Sequence, residues 1–408
     1  MAKKDAIEQI EIEAPYELPE GWRWKTLGNT CDMYQPKTIS TKELIDDGKY
    51  LVYGANGVIG RYDKYNHEKA QLLITCRGAT CGAVNISEPF SWINGNAMVI
   101  NPKDENLDLK YLAYIFQSEV NFNKVITGSA QPQITRQSLL PVIFPLPPTL
   151  TEQQRIVNRI ETMFAKLDQA QEKAQSVLDS FETRKAAILH KAFTGQLKID
   201  NEELTIEDWE EKKLEDAIIE KPRNGYSTTA VDYETPYKTM SLSATTSGYF
   251  RPEFYKYIEA DISDDSFLWL KPGDILIQRA NSLDKVGTSA IYTGGEHEFI
   301  YPDLMMKLQV RESVSNAFIA YQLKTEESLA YFRNNATGTA GNMPKINQKT
   351  VCNLPIKLPP LNYQLSIVNF LDTVLEKESR AKEAAQTVLD QIALLKKSIL
   401  ARAFRGEL

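Results

Sequence analysis

A segment of about forty residues occurs twice in this chain, and that duplication restricts the fold more than any other feature. The first copy opens LPPTLTEQQRIV (146–157) and closes KAAILHKAFTGQL (185–197). The second opens LPPLNYQLSIV (358–368) and closes KKSILARAFRGEL (396–408). Apolar residues in the first copy fall at alternating steps of four and three: Ile156, Ile160, Met163, Leu167, Ala170, Ala174, Val177, Phe181 and Ile188, with Arg184 as the interruption. In the second copy Ile367, Leu371, Val374, Glu378, Ala381, Ala385, Val388, Ile392, Leu395 and Ile399 occupy the matching places, 211 positions later. Such a stripe is the seam of a coiled coil. A helix of about 42 residues is about 63 Å long at about 1.5 Å per residue. Two amphipathic helices could instead each pack on their own domain, but matched length and phase favour pairing with each other. Glu378 is then a polar seam residue that helps fix register. Antiparallel pairing is expected, because each preceding globular region is joined to the start of its own helix; the two regions then sit at opposite ends of a rod.

What lies between the helices is also repeated. The first globular region begins at LPEGWRWKTLG (18–28) and carries short strands separated by glycines in YLVYGANGVIGRYDKY (50–65), LLITCRGATCGAVNI (72–86) and AMVI (97–100). Helical periodicity follows in LKYLAYIFQSEV (109–120), and the Pro-rich exit LPVIFPLPP (140–148) is expected to stop regular structure. The second region starts at TIEDWEEKKL (205–214), where Trp209 and Leu214 repeat the spacing of Trp22 and Leu27. It continues with GDILIQRANSLDKVGTSAIY (273–292), a strand–loop–strand pattern, and NAFIAYQLKTEESLAYFRN (316–334), read as helical. Its end, TGTAGNMPKINQKTVCNLPIKLPP (337–360), parallels TGSAQPQITRQSLLPVIFPLPP (127–148). The expected plan is an acidic extension (1–17), a first globular domain (18–145), a central long helix (146–197), an acidic linker (198–204), a second globular domain (205–357) and a C-terminal long helix (358–408). The fold class is α/β: two α/β heads and a pair of long antiparallel helices in a pseudo-two-fold tandem duplication.

Net charge is −7 over 408 residues, which first argues against a nucleic-acid partner. The excess is local: residues 199–220 hold ten Asp or Glu and two Lys, so the rest of the chain is close to neutral. A neutral average permits a basic face without predicting one. No apolar run approaches a membrane span, and the start has no apolar signal-peptide core, so no membrane partner is expected. Cys31, Cys76, Cys81 and Cys352 form no metal-ligand framework, since the close pair Cys76/Cys81 lacks a second pair or a nearby His. A reduced cytoplasmic protein is the simplest account.

Catalytic motifs are missing. There is no phosphate-binding P-loop, no GxSxG elbow and no HExxH. His67, His190 and His297 are isolated in sequence, and His190 near a helix end reads as a favourable charge against the helix dipole. GANGVIG (54–60) departs from the dinucleotide-binding glycine spacing and reads as a hairpin or a bulge between strands. No methyl-donor glycine motif or Asn-Pro-Pro-aromatic tetrapeptide is present, so a non-enzyme is expected, with no catalytic residue, no metal and no cofactor of its own.

Two variable globular regions, each followed by a long helix that begins at Leu-Pro-Pro and ends in Ala-Phe-x-Gly-x-Leu, resemble the specificity subunit of Type I restriction-modification systems. The resemblance covers essentially the whole chain and rests on Leu18–Trp22, YGANGVIG, CRGATCGAV, GDILIQRANS, the two Gly-to-Pro-to-Ile turns and both helix ends. It departs at the acidic extension and at TIEDW in place of LPEGW. It implies two target-recognition domains, each reading one half of a bipartite site in double-stranded DNA. The paired helices would act as a ruler and as a platform for two methyltransferase subunits, which bind S-adenosylmethionine and modify adenine. Restriction and translocase subunits would complete the assembly.

Candidate DNA-binding residues are basic, amide and aromatic side chains in the Gly-rich loops. Arg pairs bidentately with guanine and Asn or Gln with adenine, while Lys, Ser and backbone amides mostly hold phosphates. In the first head they are Tyr34, Lys37, Asn56, Arg61, Tyr62, Arg77, Gln131, Gln133 and Arg136. In the second they are Arg223, Asn224, Tyr226, Ser243, Arg279, Asn281, Lys285, Asn342 and Lys345. Each could equally be a solvated side chain or a turn-former, as Asn56-Gly57 and Asn224-Gly225 illustrate. The Cys76–Cys81 loop around Arg77 is the sharpest of these, because small neighbours permit close backbone approach. Two other classes compete: a scaffold with two protein-binding heads, and the recognition half of an enzyme with its own methyltransferase activity.

Overall fold

Each repeated segment is one unbroken helix of 44 residues, Leu150–Phe193 and Leu361–Phe404, in a computed structural model that describes residues 14–128, 132–199, 202–203, 209–338 and 343–408. At about 1.5 Å per residue each is about 66 Å long. Both stop in the same way. Gly195 (φ 68°) and Gly406 (φ 75°) adopt the left-handed conformation just past the last turn. The following amides of Gln196 and Glu407 bond back to the carbonyls of Lys191 (3.2 Å) and Arg402 (2.9 Å). This closes orphan carbonyls at each helix end, which accounts for the repeated Ala-Phe-x-Gly.

The chain divides into two compact units, Met1–Gln175 with Gln386–Leu408, and Ser176–Ala385. Each unit therefore holds one head, part of its own long helix and part of the other. The pairing is antiparallel in both. In the first unit Lys396 meets Asp168, and Arg155 donates to the Leu408 carbonyl at 3.0 Å. In the second, Lys382 faces Glu182 and Arg184 bonds Glu378. Ile156 and Ile160, and Ile367 and Leu371, are fully buried, whereas Val388 and Leu395, expected on the seam, are exposed, so the covered stripe is narrower than the apolar pattern marks.

The two heads share one topology. In the first, a four-stranded antiparallel sheet runs Cys31–Tyr34, Ala97–Pro102, Leu72–Thr75, Val84–Ile86. In the second, the order is Arg223–Asn224, Met305–Leu308, Ile275–Gln278, Ser289–Ile291. The third strand of each sheet is buried along its whole length, and its side chains alternate between two cores. Leu72 and Ile74 join Tyr111, Phe116 and Phe144, whereas Leu73 joins Tyr53 and Ile93. Ile275 and Ile277 join Phe318 and Phe332, whereas Leu276 joins Tyr292 and Phe299.

A smaller sheet completes each head. Val58–Tyr62, Tyr50–Tyr53 and Trp92–Ile93 form the first, the last pair parallel. Ala230–Val231, Tyr255–Ile258 and Tyr237–Met240 form the second, with a parallel bridge from Thr239 to Ile300. GANGVIG forms the turn of an antiparallel hairpin, and the pairing beside it shifts register between Val52 and Tyr53.

Two expectations need correction. The Pro-rich exit does not stop regular structure: Ile143–Leu146 is a strand against Arg23–Thr26, and Pro145 pairs with Trp24. A two-stranded sheet leaves edges where the missing N–H of a proline costs nothing. The segment 316–334 is two helices, Asn316–Gln322 and Glu326–Asn334, because the Thr325 side chain accepts the Ser328 amide and starts a new helix. The segment after the first long helix, read as linker, carries a short antiparallel pair, Lys198–Ile199 with Glu202–Glu203. Among the described residues no helix is long and apolar enough to cross a membrane.

Candidate nucleic-acid interface

The loop after the third strand of each large sheet is stitched to the segment that precedes the long helix. In the first head Arg77 forms a β-bridge to Gln133, and Gln133 forms another to Thr127. Thr127 and Gln133 exchange both backbone hydrogen bonds at 2.9 Å, and the Ile134 amide reaches the Cys76 carbonyl at 2.9 Å. In the second head Ala280 bridges Lys345 and Lys345 bridges Thr337, with Ile346 N to Arg279 O at 2.8 Å. Cys76, Arg77 and Gln133 thus correspond to Arg279, Ala280 and Lys345. One scaffold carries different side chains at matched places. Thr127 and Thr337 are absent from the candidates above, although the repeated Thr-Gly at 127–128 and 337–338 marks them.

Arg77, Gln133 and Lys345 are exposed, and their side chains make no hydrogen bond or ion pair among the described residues. Lys37, and Arg136 at the first turn of the helix Arg136–Leu139, are exposed in the same way. Beside Arg77, burial pushes the Cys76 thiol up to about 11, so it is a neutral packing group. Gln131 and Asn342 lie outside the described residues.

Other candidates are held by the fold. Arg61 donates from Nε to the Gly48 carbonyl at 2.6 Å and from a terminal nitrogen to Lys49 O at 3.3 Å. Arg279 donates to the Asp303 carbonyl at 3.1 Å. Asn281 bonds Gln278 Oε1 through Nδ2 and accepts the Ser282 amide. Asn56 accepts from Asn85 at 3.0 Å. Tyr62 packs edge-on against Trp92, and Lys285 lies 3.7 Å from Asp284.

The remaining candidates lie on or after the first strands of the large sheets. Tyr34 OH meets His67 Nε2 at 2.8 Å, and burial holds the His67 imidazole below its ordinary value. Arg223 pairs with Glu220 at 2.6 Å and sits 4.9 Å from the centre of the Phe267 ring. Asn224 and Tyr226 follow it, Tyr226 packing on the cluster of Trp269 and Ile300. Ser243 is exposed on a short turn of helix, Leu242–Ala244.

The same α/β head built twice, the antiparallel helix pair, and different exposed side chains on equivalent loops define a tandem recognition scaffold. A family model described as the Type I restriction modification DNA specificity domain matches residues 19–178 and 206–388, and the chain belongs to this family as a specificity subunit. It is 24% identical to the EcoKI specificity subunit of Escherichia coli K12 over 96% of this chain and 90% of that one. It is 26% identical to the StySPI specificity subunit of Salmonella potsdam over 87% and 73%. Among solved structures, the HsdS subunit of Thermoanaerobacter tengcongensis matches with a TM-score of 0.62 at 19% identity, covering 97% of this chain and all of that one. A chain from a study of assembly and conformational transition of the Type I system matches with a TM-score of 0.73 at 19% identity over the same shares.

Proposed function

We propose that each head of this chain reads one half of a bipartite site in double-stranded DNA. The observation that carries this reading is the stitched junction of Arg77, Gln133 and Thr127, rebuilt in the second head as Ala280, Lys345 and Thr337. A fixed backbone frame with a changed set of exposed donors suits two readers with two sequence preferences. Arg77 offers two donors to guanine, Gln133 offers one donor and one acceptor to adenine, and Lys345 offers a phosphate or guanine contact. In this reading the first head spans 18–145 and the second 205–357, with spacer helices in 146–197 and 358–408 and a linker at 198–204.

The helix pair sets the distance between half-sites and carries two methyltransferase subunits, with restriction and translocase subunits joining them. Methyl transfer belongs to those partners, which hold S-adenosylmethionine; this chain contributes recognition and no catalytic group, and the assembly works in the cytoplasm. The test is to map methylated positions in DNA modified by the assembled complex. A bipartite motif with two constant parts and a fixed gap is expected. A continuous motif, or methyl transfer by this chain alone at the rate of the complex, overturns the reading.

A further inference from the structure

Phe90 (φ 54°) and His297 (φ 58°) are the non-glycine residues with positive φ among those described, and both lie in the same turn of their heads. That turn leads into a segment running parallel to a strand of the small sheet, Trp92 against Val52 and Ile300 against Thr239. A bulky residue in the left-handed region is strained and persists where its surroundings over-determine it. Here they do. Phe90 N donates to Glu68 O at 3.2 Å, and Ser91 exchanges backbone bonds with His67 at 3.1 Å. In the second head Gly295 N is held by Glu298 at 2.9 Å, and Tyr292 OH holds the Gly295 carbonyl at 2.6 Å.

Each strained residue presents an exposed ring at the end of an aromatic row. Phe90, 49% exposed, meets Tyr65 edge-on at 5.3 Å; Tyr65 meets Tyr50 at 5.1 Å, with the Lys49 ammonium 5.1 Å from the Tyr50 ring. His297 stacks on Trp269 at 5.3 Å and 26°, and Trp269 stacks on Tyr237 at 6.0 Å and 27°. Cations beside open aromatic faces are the chemistry that holds unstacked nucleobases. Glycine would serve either turn without strain, so the rings are what the strain maintains.

We infer that the rings of Phe90 and His297 stack on a base uncovered in their own half-site, an inference that rests on the recognition function proposed above. Chemistry on a base requires that base to leave the duplex stack, and its neighbour then loses a stacking partner. A ring held rigidly on a strained turn replaces that partner.

The test uses the full chain assembled with its methyltransferase subunits, and duplexes with 2-aminopurine beside the methylated position of each half-site. Glycine suits both backbones, so F90G and H297G keep the turns. F90G should weaken binding at the first half-site about tenfold and abolish the 2-aminopurine fluorescence change there, with the second half-site unaffected. H297G should do the converse, and F90W should retain the wild-type signal. Wild-type affinity and fluorescence in both glycine variants would overturn the inference while leaving the recognition function intact. A wild-type complex with no bipartite preference would overturn both.

Discussion

Arg184 and Glu378, the two polar residues on the helix seams, bond to each other, Arg184 Nε to Glu378 Oε2 at 2.8 Å. Each looks like a defect in its own heptad pattern; together they form a half-buried ion pair, with Arg184 also donating to Ser180 and to the Val177 carbonyl. Removing one partner leaves a charge in a partly desolvated seam. Glu378→Leu should therefore cost about 1–3 kcal/mol, between the values for exposed and buried pairs. Replacing both by Leu should recover most of that loss. Thermal unfolding of the four members of the double-mutant cycle measures the coupling; additive losses would show that the pair adds nothing.

Gln364 ties the second long helix to the head beside it. Its Oε1 accepts the Ser315 amide at 2.9 Å and its Nε2 donates to Pro359 O at 2.8 Å, while the residue is 1% exposed. Gln153 does the same in the first unit, accepting from Asp108 N at 2.8 Å and donating to Asn106 O. Gln364→Ala strands a partly buried backbone donor, at a cost of about 1–3 kcal/mol. Hydrogen exchange should speed up at Ser315 and leave Asp108 unchanged. Unchanged protection at Ser315 would mean that water replaces the glutamine.

Periodicity exposed the helices, their pairing, and Arg184 and Glu378 as separate polar breaks, because a seam repeats locally and a polar break in it stands out; that the two breaks bond to each other emerged only in the folded chain. The repeated helix ends were equally legible, since Gly195 and Gly406 meet a local backbone demand. The heads were legible as strand and glycine patterns but not as sheets. The parallel contact of Trp92 with Val52 and the bridge from Arg77 to Gln133 join segments far apart in sequence, and no local spacing encodes them. Small neighbours singled out Arg77, but nothing in the sequence showed that Arg61 and Arg279 are held by the fold. Their carbonyl partners, Gly48 and Asp303, become apparent only when the chain is folded.

Lys324 gives the second unit a pH-dependent stability. Its ammonium lies 4.6 Å from the Tyr249 ring and 5.2 Å from the Tyr321 ring. Burial, then the nearby Lys185, lowers it to about 8 against the opposing pull of Asp372. An unfolded lysine titrates near 10.4. Between about pH 8 and 10.4 the unfolded chain binds the proton that the folded chain has released, so this site adds stability as pH rises. Lys324→Met should raise the unfolding midpoint at pH 7, and its advantage over wild type should shrink through that window. A constant difference from pH 7 to 10 would contradict the assignment.

Arg77→Ala should relax recognition in the first half-site alone, at about 1–3 kcal/mol for a lost bidentate base contact. Lys345→Ala should act on the second half-site, and if the ammonium holds a phosphate it should reduce the salt dependence of binding by about one charge. Competition binding across single-base variants of each half-site separates these outcomes. Unchanged preference in R77A would make Arg77 a solvated surface residue; equal relaxation of both half-sites would argue against independent readers.

The helix pair can be tested as a ruler by lengthening it. One heptad inserted after Gln175 and another after Ala385 keeps the apolar phase continuous in both helices, because seven residues restore the seam. The pair lengthens by about 10 Å at about 1.5 Å per residue. Duplex DNA rises about 3.4 Å per base pair, so the half-sites should need about three more base pairs between them. Those extra pairs also rotate one half-site about the duplex axis, and the lengthened helices need not turn the heads to match. Loss of the original spacing is therefore the firm expectation, and recovery on a longer spacer depends on that rotation. Methylation across sites that differ in spacer length alone gives the answer. A lengthened variant that still preferred the original spacer would show that something other than the helices sets the gap.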